Sequence, residues 1–467
     1  MPKGLLFVLP SLIEGGKLKE KDYSMKSKKV ALINLGCPKN LVDAEEIIGR
    51  VADSGSTICQ YPEDAEILII NTCGFIEDSK QESIDTILKM AKLKEDARCK
   101  KIIVTGCLAQ RYPQELKNDV PEIDHVVGLK DFDTLTDLSG SGKKRKKGSL
   151  QCNDDWRNRI RLTPRHYAYL RISDGCDNRC SYCAIPDIRG KFSSRTLESL
   201  VEEAQHMASE GVREIHVISQ DTTSYGIDLY GKFKLHVLLG RLSEIQGIEW
   251  IRILYTHPKH FYPELIHTIA DQAKICKYVD LPIQHINDSI LKKMGRGVTH
   301  AHIDTLINDL RNHIPQLFVR TSVIVGFPGE TEEQFHELLT FIQATRFERL
   351  GVFAYSKEDA TPAASFKKQI PKRVKEQRLK EVMLAQQKII LEKHKNLVGN
   401  SIPVIIDEKN ETNGGWFGRT YGDAPDVDSK VIIEENHLKI GDIKNMIITG
   451  TSGYDLIGTR IKKRKED

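Results

Sequence analysis

The chain reads as an α/β protein in three folded parts: a parallel-sheet domain, an open βα barrel and a small all-β barrel. Three observations predict this. From Lys29 to Leu138, and again from His166 to Tyr355, short apolar runs alternate with amphipathic stretches; apolar strands separated by helices build parallel sheets covered on both faces. Beyond residue 397 the pattern changes to short β-like runs broken by Gly, Asn and Asp. Finally, 467 residues, 40% of them apolar, suffice for about two to four domains, each with an ordinary core.

In order along the chain, residues 1–28 have an apolar patch but neither the long apolar region nor the small-residue cleavage site of a signal peptide, and read as a disordered extension. The first domain, 29–138, carries predicted strands at VALINLG (30–36), EILIINT (66–72), KIIVTG (101–106) and HVVGL (125–129), with helices over LVDAEEIIGRVADSG, ESIDTILKMAKLK and the region of Gln114. Residues 139–161 form a linker; its SGSGKKRKKGS stretch suits a solvated tether, or a polyanion contact through Lys143 to Lys147.

The second domain, 162–397, has predicted strands at 167–173, 213–219, 250–255, 278–283, 318–326 and 350–355. Six βα units are too few for a closed eight-stranded barrel, so a partial barrel is expected. A single helix over 371–397, with Pro371 near its start, trails it. Residues 398–464 read as a small β barrel. Within 398–460 there are ten acidic and six basic residues, a balance of −4.

The whole-chain charge of +4, on 69 basic and 65 acidic residues, is too small to name a nucleic-acid partner. No window approaches the ~18 consecutive apolar residues of a membrane span. A cytoplasmic location is expected, where cysteines stay reduced and clustered ones are ligands or catalysts rather than disulfides.

Six of the ten cysteines form two triads. Cys176, Cys180 and Cys183, spaced C-x3-C-x2-C, follow a predicted barrel strand, where such folds place their chemistry. Three thiolates hold three irons of a 4Fe–4S cube and leave the fourth open. Structural zinc would need a fourth protein ligand, and none sits at ligand spacing. Cys37, Cys73 and Cys107 are far apart in sequence, but each follows a predicted strand of the first domain. In a parallel sheet those strand ends share one edge, so the three converge there, with Gly36, Gly74 and Gly106 allowing close backbone approach to a cluster. The competing reading is three buried small hydrophobes. Cys59, Cys99, Cys152 and Cys276 share no such placement and read as ordinary thiols.

Other segments stand as candidate cofactor contacts. ISQDTTSYG (218–226) ends a barrel strand with Gln220, Asp221 and Thr222, all able to hydrogen-bond a ribose or an amino acid. VGFPGET (325–331), with Gly326 and Gly329, suits cradling a polar group or making a tight structural turn. Tyr182 suits stacking on an adenine or plain packing.

CDNRCSYC resembles the cluster loop of radical S-adenosylmethionine enzymes. With Cys37, Cys73 and Cys107, the partial barrel and the terminal β domain, it resembles the methylthiotransferases, over about Val30 to Arg460. NLGCPKNLVDAEEIIG (34–49), LRISDGCDNRCSYCAIPDIRG, YSKEDATPA (355–363) and GRTYGDAPDVD (418–428) are similar to the branch that modifies a ribosomal protein aspartate (RimO-type). The transfer-RNA branch has Gln-Met-Asn after its first cysteine, where this chain has Pro38, Lys39 and Asn40. The resemblance implies a flavodoxin-like first domain, a radical-SAM partial barrel and a terminal TRAM barrel. TRAM domains commonly bind RNA, which needs Lys and Arg; an acidic one suits a basic protein.

The implied activity is insertion of a methylthio group at the β-carbon of one aspartate in the twelfth small-subunit ribosomal protein; the alternative is the same chemistry on a transfer-RNA adenosine. A non-catalytic electron carrier would more often have four cysteines per cluster. The implied cofactors are two 4Fe–4S clusters and S-adenosylmethionine. The cluster on the tight triad supports reductive cleavage to a 5′-deoxyadenosyl radical that takes hydrogen from the target carbon. The second cluster presents the sulfur that is methylated and transferred. An external low-potential electron donor, a sulfur donor and contact with ribosomal RNA complete the expected partners, and no side-chain acid or base is required.

Overall fold

A computed structural model of the protein describes residues 27–95, 98–129, 131–140, 156–412, 414–435 and 437–460. The expected extension (apart from residues 27 and 28), the basic run Lys143 to Lys147 and Cys152 lie outside them. The described residues fall into two compact units: one runs to Pro164 and includes Asp174–Asp177 and Cys183–Arg195; the other comprises Arg165–Ser173, Asn178–Tyr182 and the chain from Thr196 onward.

In the first unit five parallel strands lie in the order Thr57–Ile58, Lys29–Asn34, Ile67–Thr72, Lys101–Gly106, His125–Val126, the flavodoxin-like order. All six residues of Ile67–Thr72 are buried, the burial pattern of a central strand covered on both faces. Leu68, Ile70, Ile102 and Val104 pack with Ile87 of the helix Glu77–Ala91. Pro38, in the first turn of Pro38–Asp53, costs no hydrogen bond there. The edge strand Thr57–Ile58 is too short to show a periodicity, and HVVGL contributes only His125–Val126 to the sheet.

In the second unit the six strands Tyr167–Arg171, Glu214–Ile218, Trp250–Ile253, Ile275–Asp280, Phe318–Val325 and Arg349–Ala354 pair in chain order, all parallel, in an open sheet. The fourth differs from its expected span of 278–283. It starts earlier because Lys277, which interrupts the apolar run, donates to the carbonyls of Ile269, Ala270 and Gln272 near the end of the preceding helix. It ends earlier because Pro282 has no N–H for a ladder. The helix Glu332–Thr345 opens on a capping box of Thr331 and Gln334. The trailing helix is Lys372–Leu397, with Pro371 at its N-cap.

The terminal strands Ser401–Lys409, Trp416–Thr420, Val431–Ile433, Asp455–Arg460 and Ile443–Ser452 close a barrel around Val404, Ile406, Val431, Met446 and Ile448. It rests on the N-terminal ends of the six parallel strands through a buried charge network. Arg419 pairs with Glu214 at 2.8 Å and with Asp407 at 2.7 Å. Arg252 reaches Glu214 at 3.0 Å and donates to the carbonyl of Tyr421 at 2.6 Å. The Tyr278 hydroxyl donates to Asp428 at 2.8 Å, and Arg349 holds Asp423. Asp407, Asp423 and Asp428 are therefore committed within the unit, and the acidity free to face a partner is smaller than the sequence count. Among the described residues no helix is long and apolar enough to cross a membrane.

Candidate functional site

Cys37, Cys73 and Cys107 stand at the C-terminal ends of three adjacent strands. Cys37 is the N-cap of Pro38–Asp53, Cys73 directly follows Ile67–Thr72, and Cys107 begins the short helix Cys107–Arg111 after Lys101–Gly106. The register pairs Asn34 with Asn71, Asn71 with Thr105 and Thr72 with Gly106, which brings the three positions to one edge. Cys73 is fixed by Ser83, whose hydroxyl accepts from its N–H at 3.1 Å and donates to its carbonyl at 2.9 Å.

Gly36 and Gly106 adopt φ of +99° and +97°, open to glycine at little cost. A Cβ on Gly36 would lie 2.8 Å from the Cβ of Cys73, and one on Gly74 would lie 2.7 Å from the Cα of Leu108. The glycines thus let the cysteine-bearing loops approach one another.

Burial pushes the Cys73 thiol up to about 11, with Cys37 adding to the rise. Burial pushes Cys107 up to about 12, partly offset by the Arg189 guanidinium, with Cys73 and Cys37 raising it further. The three sulfurs are thus close enough to act on one another electrostatically. Among the described residues, His, Cys, Asp or Glu ligand atoms meet in threes within 4.8 Å at Asp221, His257 and His260. The dispersed triad is therefore wider than a single tetrahedral zinc, with Zn–S of about 2.3 Å, would demand. A wide set of three thiols fits a multi-iron cluster, whose ligation strips the thiol protons.

The tight triad is divided: Cys176 and Cys183 belong to the first unit and Cys180 to the second. In the first, the Cys176 N–H donates to the carbonyl of Gly190 at 3.1 Å. In the second, Cys180 lies beside Arg296, whose Nη1 is 3.7 Å from its Sγ. Ser181 is anchored to the carbonyls of Met294, through its N–H at 2.9 Å, and Lys293, through its hydroxyl at 2.8 Å. All three thiols are half-exposed. Cys59, Cys99 and Cys276 are buried.

The other candidate contacts follow strands of the second unit at their C-terminal ends. Tyr182 packs beside Ile290, Met294, Phe327 and Tyr355. Gln220 is half-buried beside Asp221. Asp221 is saturated from within: Thr223 and Ser224 hydroxyls donate to it at 2.6 and 2.8 Å, Asn178 at 2.7 Å, and His260 Nδ1 lies 2.8 Å away. The Thr222 hydroxyl donates to the carbonyl of Leu254 at 2.5 Å. Gly326 and Gly329 take φ of +72° and +77°. Their turn is closed by Glu330, which accepts the Gly326 N–H at 2.6 Å and is held by His285 and Arg378. Beside Asp221, burial and the nearby Arg296 hold His257 neutral; its Nδ1 accepts the Lys259 N–H at 3.2 Å, while its Nε2 is buried without a partner.

Comparison with known proteins gives these features a family. Residues 29–128 match the family model described as Uncharacterized protein family UPF0004, residues 170–342 the Radical SAM superfamily, and residues 398–461 the TRAM domain. Ribosomal protein uS12 methylthiotransferase RimO of Alkaliphilus oremlandii is 46% identical over 438 residues, covering 92% of this chain and 98% of its own. Its counterpart in Heliobacterium modesticaldum is 43% identical, covering 96% and 98%. The chain belongs to the ribosomal protein uS12 methylthiotransferase family.

Solved structures with a similar fold include TsrM, a radical S-adenosylmethionine methyltransferase from Kitasatospora setae, with a TM-score of 0.51 and 15% identity over 72% of this chain and 77% of that one. The cobalamin-dependent enzyme OxsB has a TM-score of 0.50 and 13% identity over 77% and 56%. As a uS12 methylthiotransferase family member with a radical SAM domain, the chain is a radical S-adenosylmethionine enzyme that uses 4Fe–4S clusters and S-adenosylmethionine.

Within this uS12 methylthiotransferase family member, sequence reasoning passed over Asn40, Arg189, His257 and Arg296. Arg189 lies only six residues beyond Cys183, yet no periodicity marks an arginine that folds back into a core. His257 follows WIRILY as Asp221 follows REIHVIS, and the shared position at a strand's C-terminal end was the available signal.

Proposed function

We propose that this chain inserts a methylthio group at the β-carbon of an aspartate of ribosomal protein uS12. The observation that carries the reading is the pair of incomplete thiol sets in a chain of this family. Cys176, Cys180 and Cys183 would hold one cluster, and Cys37, Cys73 and Cys107 the other, each leaving an iron open. The clusters and S-adenosylmethionine supply radical cleavage and the sulfur to be transferred.

The chain's own residues bind and orient. Arg296 offers a donor beside Cys180, and the turn closed by Glu330 supports Gly326 and Gly329 as cofactor contacts. Tyr182 and Gln220 are assigned as contacts through their side chains. The Thr222 hydroxyl spends its proton on the Leu254 carbonyl and remains an acceptor for the cofactor, and Asp221, engaged by Thr223, Ser224, Asn178 and His260, fixes the turn that carries it. Domain limits of 29–138, 162–397 and 398–464 go with this assignment, as do an external low-potential electron donor, a sulfur donor and ribosomal RNA contact. The test is mass spectrometry of uS12 and of transfer-RNA nucleosides from cells lacking the chain: loss of the methylthio mark from uS12 alone supports the reading, and loss from a nucleoside alone overturns it.

A further inference from the structure

We infer that Arg189 is a positioning residue for the Cys37, Cys73, Cys107 cluster: it supplies the hydrogen bond and counter-charge that Cys107 needs once it is a thiolate, and Asp43 sets how much of that charge reaches the sulfur. The inference rests on the ligand assignment just proposed.

The geometry is local to the first unit. Arg189 ends the short helix Ile185–Arg189 and is 3% exposed. Its Nη2 lies 2.6 Å from Asp43 Oδ2, 2.9 Å from Asn40 Oδ1 and 3.8 Å from Cys107 Sγ; its Nη1 is 3.3 Å from Asp174. The Asn40 amide is fixed in orientation, because its Nδ2 donates to the carbonyls of Leu35 and Thr72, both at 3.0 Å. Its Oδ1 must therefore face Cys107, and it accepts the thiol proton at 3.3 Å. Metal ligation removes that proton. Asn40 Oδ1 cannot donate, so an oxygen lone pair would be left against a thiolate in a buried site, a costly arrangement. Two hydrogens on Nη2 serve three acceptors here: one faces Asp43, and the other, 2.9 Å from Asn40 Oδ1 and 3.8 Å from Cys107 Sγ by its nitrogen, can be shared between oxygen and sulfur once the thiol proton is gone. Hydrogen bonds and charge at ligand sulfurs set a cluster's potential.

The experiment uses the full-length chain with Cys176, Cys180 and Cys183 all changed to Ala, so that one cluster remains, reconstituted anaerobically. Iron is counted, and the midpoint potential is read by a potentiometric titration followed by electron paramagnetic resonance. Arg189→Gln is expected to move the potential to more negative values, Arg189→Lys to move it less, and Asp43→Asn to move it to more positive values. General damage to the site would not produce opposite signs. Should Arg189→Gln not load iron, the Arg189→Lys and Asp43→Asn shifts still decide. An unmoved potential, or shifts of one sign for Arg189 and Asp43 variants that retain about four irons, overturns the inference and leaves the ligand assignment standing. A parent variant that binds no iron overturns the ligand assignment, and the inference with it.

Discussion

The two cysteine triads are assembled by different means. Cys176, Cys180 and Cys183 are neighbours because the chain is short between them, and all three are half-exposed. Cys37, Cys73 and Cys107 are neighbours because three parallel strands lie in register, and two of the three are buried. A site built by spacing tolerates change elsewhere in the fold. A site built by topology depends on every strand that delivers a ligand. The first presents its thiols on a loop; the second buries two of its three at a sheet edge.

The largest expected effect separates the two triads by chemistry. Cys180→Ala should reduce 5′-deoxyadenosine formation to background, whereas Cys73→Ala should retain it and stop sulfur insertion; chromatography of the small products and mass spectrometry of uS12 report the two. If both variants lose only sulfur insertion, the division of labour is wrong. Alongside this, anaerobic analysis should find about eight irons and eight sulfides in the intact protein and about four of each when either triad is changed to alanine.

Smaller effects sharpen the contrast between local and topological sites. Arg419→Met removes one partner from Glu214, which keeps Arg252, and one from Asp407, which keeps His166, and should cost about 1–3 kcal/mol in urea unfolding. In the apo protein at pH 8, Cys73 and Cys107 should react with iodoacetamide at least about a hundredfold more slowly than the half-exposed thiols, because little of either is thiolate. Both rates should rise with pH up to about 11 for Cys73 and about 12 for Cys107. Thr299→Ala, which removes the N-cap bond to the His302 N–H of the helix His300–His313, should cost only about 1 kcal/mol in the same unfolding measurement.

The legibility of each site follows from its construction. The tight triad could be read from spacing alone. The dispersed triad required strands to be read first, and was reachable because VALINLG, EILIINT and KIIVTG are unbroken apolar runs. The sequential order of the six strands in the second unit followed from the βα alternation, but the limits of Ile275–Asp280 did not, since Lys277 looks polar until its amine is seen to close a helix end. The roles of Arg189 and Asn40 were invisible for a deeper reason. Their shared partner Cys107 is 82 residues from Arg189 and 67 from Asn40 along the chain, and hydrogen-bond networks leave no periodic trace.

The terminal β barrel is clamped to the opposite end of the parallel strands from the one that bears Cys180. Strands of about six residues rise roughly 20 Å, so the barrel and Cys180 are kept apart by the height of the sheet. Any one molecule that touched both would have to reach over that distance. A short peptide seated at the Cys180 end alone would leave the barrel untouched.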